Sequence, residues 1–216
     1  MVSFTLWDIF RNLLLAGRWT VVLSVIAFVG GGLLGLLLLV SRIARPKVGG
    51  KLVGAYVQLF QGTPLLIQLY MAYFGLGRFG ISVSPWVAAV IGLTLYTAAF
   101  LSEIWRGCVE SVPKGQWEAS GALSMSLSEQ LRHVIGPQAL KVAVPPTVGF
   151  MVQVIKGTAL ASVIGFIELT KASTMIVNAT NQSALVFGLV AMMYFALCWP
   201  ISVWSKSLER HLHGQR

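Results

Sequence analysis

The chain is predicted to be an all-α membrane protein with five transmembrane helices. Of its 216 residues, 56% are hydrophobic and only 11% are charged, and the mean hydropathy is +0.78. Soluble domains typically carry about 25% charged residues, so this composition favours a protein that crosses the membrane several times. Two further observations set the number and direction of the crossings: long runs without a charged residue, and an uneven distribution of Lys and Arg.

The charge-free runs predict the spans one by one. About 20 apolar residues cross the hydrocarbon core as a helix, and each run is at least that long. Four runs lie at residues 19–41, 52–77, 79–102 and 172–205. A fifth apolar segment lies between Lys141 and Glu168 and is interrupted by Lys156. The predicted spans are therefore about 19–41, 53–76, 82–104, 142–166 and 184–205.

The positive charges predict the topology. Eleven of the sixteen Lys and Arg residues fall in the first loop, the central segment and the C-terminal tail, and four fall in the opposite connections. Because cytoplasmic loops carry the excess of positive charge, we expect the N-terminus outside and the C-terminus in the cytoplasm. The net charge of +9 then serves orientation, with no nucleic-acid partner. Residues 4–16, within an N-terminal segment 1–17, are predicted to form a short amphipathic helix at the outer interface.

A semi-polar segment, residues 107–141, separates the third and fourth predicted spans on the cytoplasmic side. Its pattern is helix, elbow, helix. Ala119, Ala122 and Leu123 share one helical face, and Ser126 followed by Glu129 has the spacing of a capping box. From periodicity alone, the segment either packs on its own membrane domain or offers a contact surface to another protein.

The same segment strongly resembles the EAA loop of type I ABC-transporter permeases, in the polar amino acid uptake family that includes histidine, glutamine and arginine permeases. The stretch is VPKGQWEASGALSMSLSEQLRHVIGPQALKVAVPP, and the matching residues are Glu118, Ala119, Ala122, Leu123, Pro137, Gln138, Ala139 and Pro145. The resemblance extends over about residues 17–210. It is carried by further stretches at residues 55–77, 98–119, 155–172 and 208–210.

The resemblance implies a permease domain at residues 18–207, followed by a cytoplasmic tail at 208–216, in a bacterial inner membrane. The elbow would be the coupling helix that rests on an ATP-binding subunit, with Glu118, Ala119, Ala122, Leu123 and Ser124 at the contact. Glu118 would pair either with a basic residue of that subunit or with its own chain, for instance at Arg132. The implied partners are two ATPase subunits, which hold ATP and Mg²⁺, a second permease subunit, identical or homologous, and an extracytoplasmic amino acid-binding protein.

This sequence departs from the family pattern at four positions. Gln61 stands where arginine usually precedes Gly-Thr-Pro, and Ser124 replaces the usual glycine of the elbow. Gly157 and Ala159 stand where an aspartate and a serine are common. The departures leave the fold prediction intact and leave the substrate open.

Features of an enzyme are missing from the sequence. There is no phosphate-binding pattern Gly-x-x-x-x-Gly-Lys-Ser/Thr. The glycines of GGGLLG, residues 30–35, are predicted to allow close helix packing in the first span. His133, His211, His213 and the two cysteines have no metal-ligand spacing. We therefore expect a transport subunit with no metal, no cofactor of its own and no catalytic residues.

Lys156 is the first candidate for the substrate path. It lies 15 residues beyond Lys141, so a helix would carry it about 22 Å into the membrane. An ammonium at that depth needs water or a counter-ion, which predicts either a substrate carboxylate or a structural partner. Glu168 would hold a substrate ammonium or pair with Lys156 or Lys171. Gln153 and Thr158 flank Lys156 and would complete a polar cluster.

Polar residues of the second and third spans complete the predicted path: Gln61, Thr63, Gln68, Tyr96 and Thr97. Gly62 and Pro64 are expected to break the second span. The break would free backbone carbonyls toward a cavity, or neighbouring helices would satisfy a simple kink. Glu103 and Arg106, at i and i+3, are expected to pair with each other.

Two other functions remain open from sequence alone. One is a secondary transporter driven by an ion gradient, although the intramembrane acids that such proteins often use are scarce here. The other is a membrane scaffold whose elbow only recruits a cytoplasmic partner. A requirement for ATP would distinguish the importer from both.

Overall fold

The computed structural model describes residues 5–213, and every regular element within them is helical. In chain order the helices are α1 (Leu6–Ala44), α2 (Gly49–Gly62), α3 (Leu65–Arg78), α4 (Pro85–Glu110), α5 (Lys114–Ala122), α6 (Leu127–Ile164), α7 (Leu169–Thr180) and α8 (Ser183–His213). A π-helical turn, Met71–Gly75, lies within α3. A second one, Leu131–Ile135, lies within α6, which ends in a 3₁₀ segment, Thr158–Ile164.

The helices that could span a membrane account for most of the described chain. α1, α4, α6 and α8 are each long and apolar enough to cross a bilayer, and α2 with α3 is a pair bent by 104° that makes a fifth span when it is counted as one. Large apolar side chains such as Leu33, Leu37 and Phe195 are exposed, as expected where lipid replaces water. The predicted fold class is confirmed when the bent pair is counted as one span.

The N-terminal region differs from its prediction. Residues 1–4 lie outside the described part of the chain, and from residue 5 onward no separate short helix precedes the first span, because α1 runs unbroken for 39 residues from a capping box formed by Thr5 and Asp8. Ile9 and Leu13 are fully buried against a cluster from α7 and α8, which includes Leu169 and Val186. A helix of this length measures about 58 Å, so α1 extends beyond a hydrocarbon core of about 30 Å. Its first turns are held by tertiary packing.

α4 is the central helix of the fold. Its buried side chains, among them Leu93, Tyr96 and Leu101, form one cluster with Leu23 of α1, Leu69 of α3 and residues of α6. Ser84 caps its N-terminus by accepting a hydrogen bond from the Val87 amide, and Pro85 occupies the first turn. α1, the bent pair α2 and α3, and α6 are thereby positioned around α4, whereas α8 packs on α6 and α7.

Glycines bring α1 and α4 into close contact, which confirms the packing role predicted for residues 30–35. A Cβ added at Gly31 would lie 2.5 Å from the Cβ of Thr97, and one at Gly35 would lie 3.1 Å from the carbonyl oxygen of Ala98. Small residues let the backbones of membrane helices approach closely. The packing contacts that result stabilise the helix pair in lipid, where no hydrophobic driving force acts between helices. The side-chain-free face of α1 therefore sets the distance between the two helices.

Gly31→Ala is expected to lower the free energy of unfolding by about 1–3 kcal/mol, because the added methyl group must push α1 away from Thr97. Denaturant unfolding of the detergent-solubilised protein measures the change. Gly54→Ala is the matched control, since nothing lies within 4 Å of its added Cβ. Equal stability of the two variants would contradict the close contact.

Candidate functional site

The second span breaks where its sequence predicts. α2 ends at Gly62, Thr63 is extended (φ −118°, ψ 143°), and Pro64 precedes α3. The Gln68 side-chain amide donates to the carbonyl oxygens of Phe60 (2.7 Å) and Thr63 (3.0 Å). Two of the carbonyls at the break are thus satisfied by a side chain of the same segment. This differs from both expectations, a cavity lined by free carbonyls and a kink satisfied by neighbouring helices.

Three of the predicted path residues meet at this break. The Thr63 hydroxyl donates to the carbonyl oxygen of Leu59 (2.7 Å) and accepts from the Gln68 amide (2.9 Å). Gln61 is exposed at the end of α2. The Oε1 atom of Gln68 is buried, and no donor reaches it within residues 5–213. A buried acceptor that lacks a donor is costly, so this oxygen is an unsatisfied polar group at the break.

The fourth span changes geometry at the same place. In α6 the α-helix ends at Gly157 and continues as the 3₁₀ segment. A Cβ added at Gly157 would lie 3.1 Å from Cδ2 of Leu65, the first residue of α3, and 3.4 Å from Cδ2 of Leu93. The irregular points of two spans are therefore in contact. Glycine at position 157, where the family often has an aspartate, makes room for Leu65.

The predicted polar cluster around Lys156 is only partly assembled. Gln153 and Lys156 are both exposed on α6, one turn apart. Lys156 makes no ion pair with any of the described residues. Thr158 is fully buried, and its hydroxyl donates to the carbonyl oxygen of Ile155 (2.7 Å). Thr158 thus serves its own helix, whereas Gln153 and Lys156 face outward from the single chain.

Glu168 lies apart from Lys156 and has a structural role. It is fully buried at the N-cap of α7, where its carboxylate accepts from the backbone amides of Thr170 (2.9 Å) and Lys171 (2.8 Å). The Tyr194 hydroxyl of α8 donates to it at 2.9 Å. The predicted pairings with the ammonium groups of Lys156 and Lys171 are wrong, because the free amides of a helix N-terminus already hold the carboxylate.

Tyr96 and Thr97 also occupy different positions from those expected along a path. Thr97 is fully buried against Gly31 at the contact between α1 and α4. The Tyr96 ring lies in the main core with Phe100 and Phe150, at centroid distances of 4.6 Å and 6.3 Å. Both residues pack helices together, which corrects their predicted place beside a cavity.

The elbow presents an exposed surface. α5 ends at Ala122, and Ser124 adopts a left-handed conformation (φ 59°) at the position where the family usually has glycine. Ser126 and Glu129 form the predicted capping box. The five predicted coupling residues are all exposed: Glu118, Ala119, Ala122, Leu123 and Ser124. Leu123, a large apolar side chain, is 76% exposed.

The elbow is anchored on its other side. Trp117 of α5 packs on a small buried cluster of Val112, Ile135 and Ala139, which joins the ends of α4 and α6. The Gln138 amide donates to the Gln116 side chain at 3.2 Å. Glu118 makes no ion pair with Arg132 or with any other described residue, so the alternative of a partner within its own chain is wrong.

An ion-pair network, only partly predicted, fixes the adjacent ends of α1 and α4. Glu103 pairs with Arg106, as expected, and also with Arg42 of α1 at 3.1 Å. Arg106 pairs in addition with Glu110. Arg42 and Glu103 are 61 positions apart, so no local spacing signals their contact.

Gln68→Met is expected to lower the free energy of unfolding by about 1–3 kcal/mol, because the carbonyl oxygens of Phe60 and Thr63 lose their donor inside the membrane. Gln58→Met, an exposed glutamine of α2, is the matched control and is expected to be neutral. Unfolding in mixed detergent micelles measures both. If Gln68→Met left the free energy of unfolding unchanged, another group would have to donate to the carbonyl oxygens of Phe60 and Thr63.

Comparison with known proteins shows the family of the chain. The family of binding-protein-dependent transport system inner membrane components matches residues 27–214. The L-cystine transport system permease protein TcyB of Bacillus subtilis (strain 168) is 33% identical over 195 residues, which are 90% of this chain and 83% of that protein. The glutamine transport system permease protein GlnP of Escherichia coli (strain K12) is 30% identical over 209 residues, 96% of this chain and 95% of that protein.

Solved structures of ABC transporters have the same fold as this chain. A crystal structure of an amino acid ABC transporter with histidines superposes with a TM-score of 0.88 at 30% identity, over 93% of this chain and 94% of that chain. An inward-facing structure of the MetNI methionine ABC transporter has a TM-score of 0.76 at 25% identity, over 98% and 99% of the two chains. The chain therefore belongs to the family of binding-protein-dependent transport system inner membrane components, the permeases of ABC transporters, and is a multi-pass protein of the inner membrane.

Proposed function

We propose that this chain forms part of the substrate path of an ATP-driven amino acid importer and transmits the motion of a separate ATPase to that path. The family makes it a permease subunit and not an enzyme, with ATPase partners and a second permease subunit. The observation that carries the coupling role is the exposed elbow, which is continuous with α6 up to the contact between Gly157 and Leu65. The amino acid substrates named for its relatives support the substrate class.

The coupling role follows from the position of α6. After the elbow and the π-helical turn, its α-helical section Gly136–Gly157, which contains Pro145 and Pro146, measures about 33 Å up to the junction with the 3₁₀ segment. An ATPase that moves Ala119, Ala122 and Leu123 would displace the end of α6 next to the elbow, because Trp117 packs α5 against that end. The other end presses on Leu65, the first residue after the break in the second span. In this proposal, movement at the elbow reaches the break along α6.

The substrate path is proposed to run along the exposed face of α6 that carries Gln153 and Lys156. A lone ammonium within the membrane is unfavourable unless it meets water or an anion. A second permease subunit facing this helix would enclose Lys156, and the carboxylate of an amino acid would then neutralise it. Gln61 and the free Oε1 of Gln68 are the further polar groups at the break. Glu168, already satisfied at its helix cap, is not part of this path.

The proposed assembly has two permease chains and two ATPase subunits, and an external binding protein that delivers the amino acid. ATP and Mg²⁺ bind on the ATPase subunits. The excess of Lys and Arg at the elbow and in the first loop supports an N-terminus outside and a C-terminus in the cytoplasm. Alternation between outward-open and inward-open states would expose Lys156 to each side in turn.

Glu118→Lys is expected to reduce co-purification of the ATPase subunit at least tenfold, because it reverses an exposed, unpaired charge in the centre of the elbow. Pull-down from native membranes in mild detergent measures the recovery. Glu209→Lys, in the exposed C-terminal tail, makes the same charge change and is the control. If no ATPase accompanies the wild-type chain, or if both variants lose it equally, the coupling surface is wrong.

Lys156→Ala is expected to leave ATPase recovery unchanged and to weaken stimulation of ATP hydrolysis by substrate about tenfold or more, since a charged partner of the carboxylate is lost. Lys156→Arg should retain most of the stimulation, and Lys114→Ala is the control for a cation outside the membrane. The assay uses the reconstituted complex with amino acid and binding protein. ATP-independent uptake would favour a secondary transporter, and ATPase recovery without uptake would favour a scaffold.

A further inference from the structure

A cavity that the transport function does not use lies beside the ion-pair network. Its volume is about 670 Å³, and it is lined by the end of α1, the connection to α2 with the start of α2, the end of α4 and α5. Cations, among them Lys47 and Lys51, share its lining with apolar side chains, among them Leu39, Ile43 and Trp117.

The cavity carries a positive charge that the chain itself does not balance. Arg42 pairs with Glu103, and Arg106 pairs with Glu103 and Glu110, so two arginines meet two carboxylates. Lys47 and Lys51 make no ion pair with any residue that the structure describes. Each ammonium offers three hydrogen-bond donors and no acceptor. Two uncompensated cations therefore remain for an anion.

The apolar part of the cavity adjoins surfaces suited to lipid. Leu39 and Ile43 of α1 line it, and their neighbour Val40 is exposed. On α2, Leu52 is 68% exposed immediately after Lys51. Trp117 closes the side next to the elbow, and tryptophan favours the boundary between headgroups and acyl chains. The cavity thus combines a charged end with apolar walls. A soluble anion would need only the charged end, whereas a lipid would contact both.

We propose that this cavity binds the headgroup of an anionic phospholipid such as phosphatidylglycerol. The phosphodiester would lie between Lys47 and Lys51, and the acyl chains would follow the apolar faces of α1 and α2. Basic pockets between membrane helices are suited to such headgroups. The bound lipid would bridge the first loop to the elbow through Trp117. That it braces α5 toward the ATPase rests on the proposed function, whereas the binding of the lipid does not.

The ATPase is the less favoured occupant of this cavity. Trp117 and Ala119 of α5 are separated by about 200° around the helix axis, so the proposed coupling face points away from the cavity wall. The inference needs only that this end of α1 and α4 lies at a membrane surface. It is therefore independent of the proposed substrate and of transport itself.

Native mass spectrometry of the full-length chain, purified with its partners, tests the proposal by titration with phosphatidylglycerol and with phosphatidylcholine. Lys47→Gln with Lys51→Gln is expected to weaken phosphatidylglycerol binding about 30-fold, from the usual contribution of a lysine near an anionic headgroup. The matched control, Lys114→Gln with Lys141→Gln, removes two exposed cations outside the cavity and should change binding less than threefold. Lys47→Arg with Lys51→Arg should keep the affinity, which separates loss of charge from loss of fold.

Three results would overturn the proposal. Equal loss of affinity in the control variant would mean that surface charge alone attracts the lipid. Competition by inorganic phosphate at millimolar concentration would identify a site for a soluble anion. Unchanged phosphatidylglycerol affinity in the Lys47→Gln, Lys51→Gln variant, together with reduced ATPase recovery, would assign the cavity to a protein contact.

Discussion

The break in the second span is the constraint on which the rest of the structure depends. A lipid bilayer supplies no hydrogen bonds, so a spanning segment can leave the helix only where its carbonyl groups find other donors. Gln68 supplies them to Phe60 and Thr63, and the segment turns by 104°. The turn places Leu65 against Gly157 and Leu69 against Gly92, where a Cβ would lie 2.8 Å from Cδ2 of Leu69. One glutamine thus positions α3 on both α4 and α6.

This arrangement explains how a chain with few polar side chains can combine rigidity with movement. α4 is buried and fixed to α1 through glycine, and Glu168 clamps α1, α7 and α8 through Thr20, the α7 amides and Tyr194. α6 differs, because it carries the elbow at one end and meets the break at the other. α6 therefore meets α3 and α4 at Gly157, the residue that follows Lys156.

Charged residues have different roles at the adjacent ends of α1 and α4 and within the membrane span that contains Lys156. At the end of α1 and α4, Arg42, Glu103 and Arg106 neutralise one another and hold the two helices together. Within the predicted membrane span, Lys156 has no such partner among the described residues. A structural ion pair is satisfied within the chain, whereas an unpaired cation has to find its anion elsewhere. That difference separates the residues that maintain the fold from the one that we place in the path.

Local sequence determined the five spans, the break at Gly62 and Pro64, the glycine contact of α1 and the capping box at Ser126. Each of these depends on near neighbours in the sequence. The causes are an apolar run, a proline without an amide hydrogen, a glycine without a side chain, and a serine three positions before a glutamate. The tertiary structure alone decided that α1 is continuous, that Glu168 caps α7, that Tyr96 and Thr97 face the core, and that Lys47 and Lys51 share a cavity. These outcomes depend on the rotation and tilt of packed helices, which hydropathy does not fix.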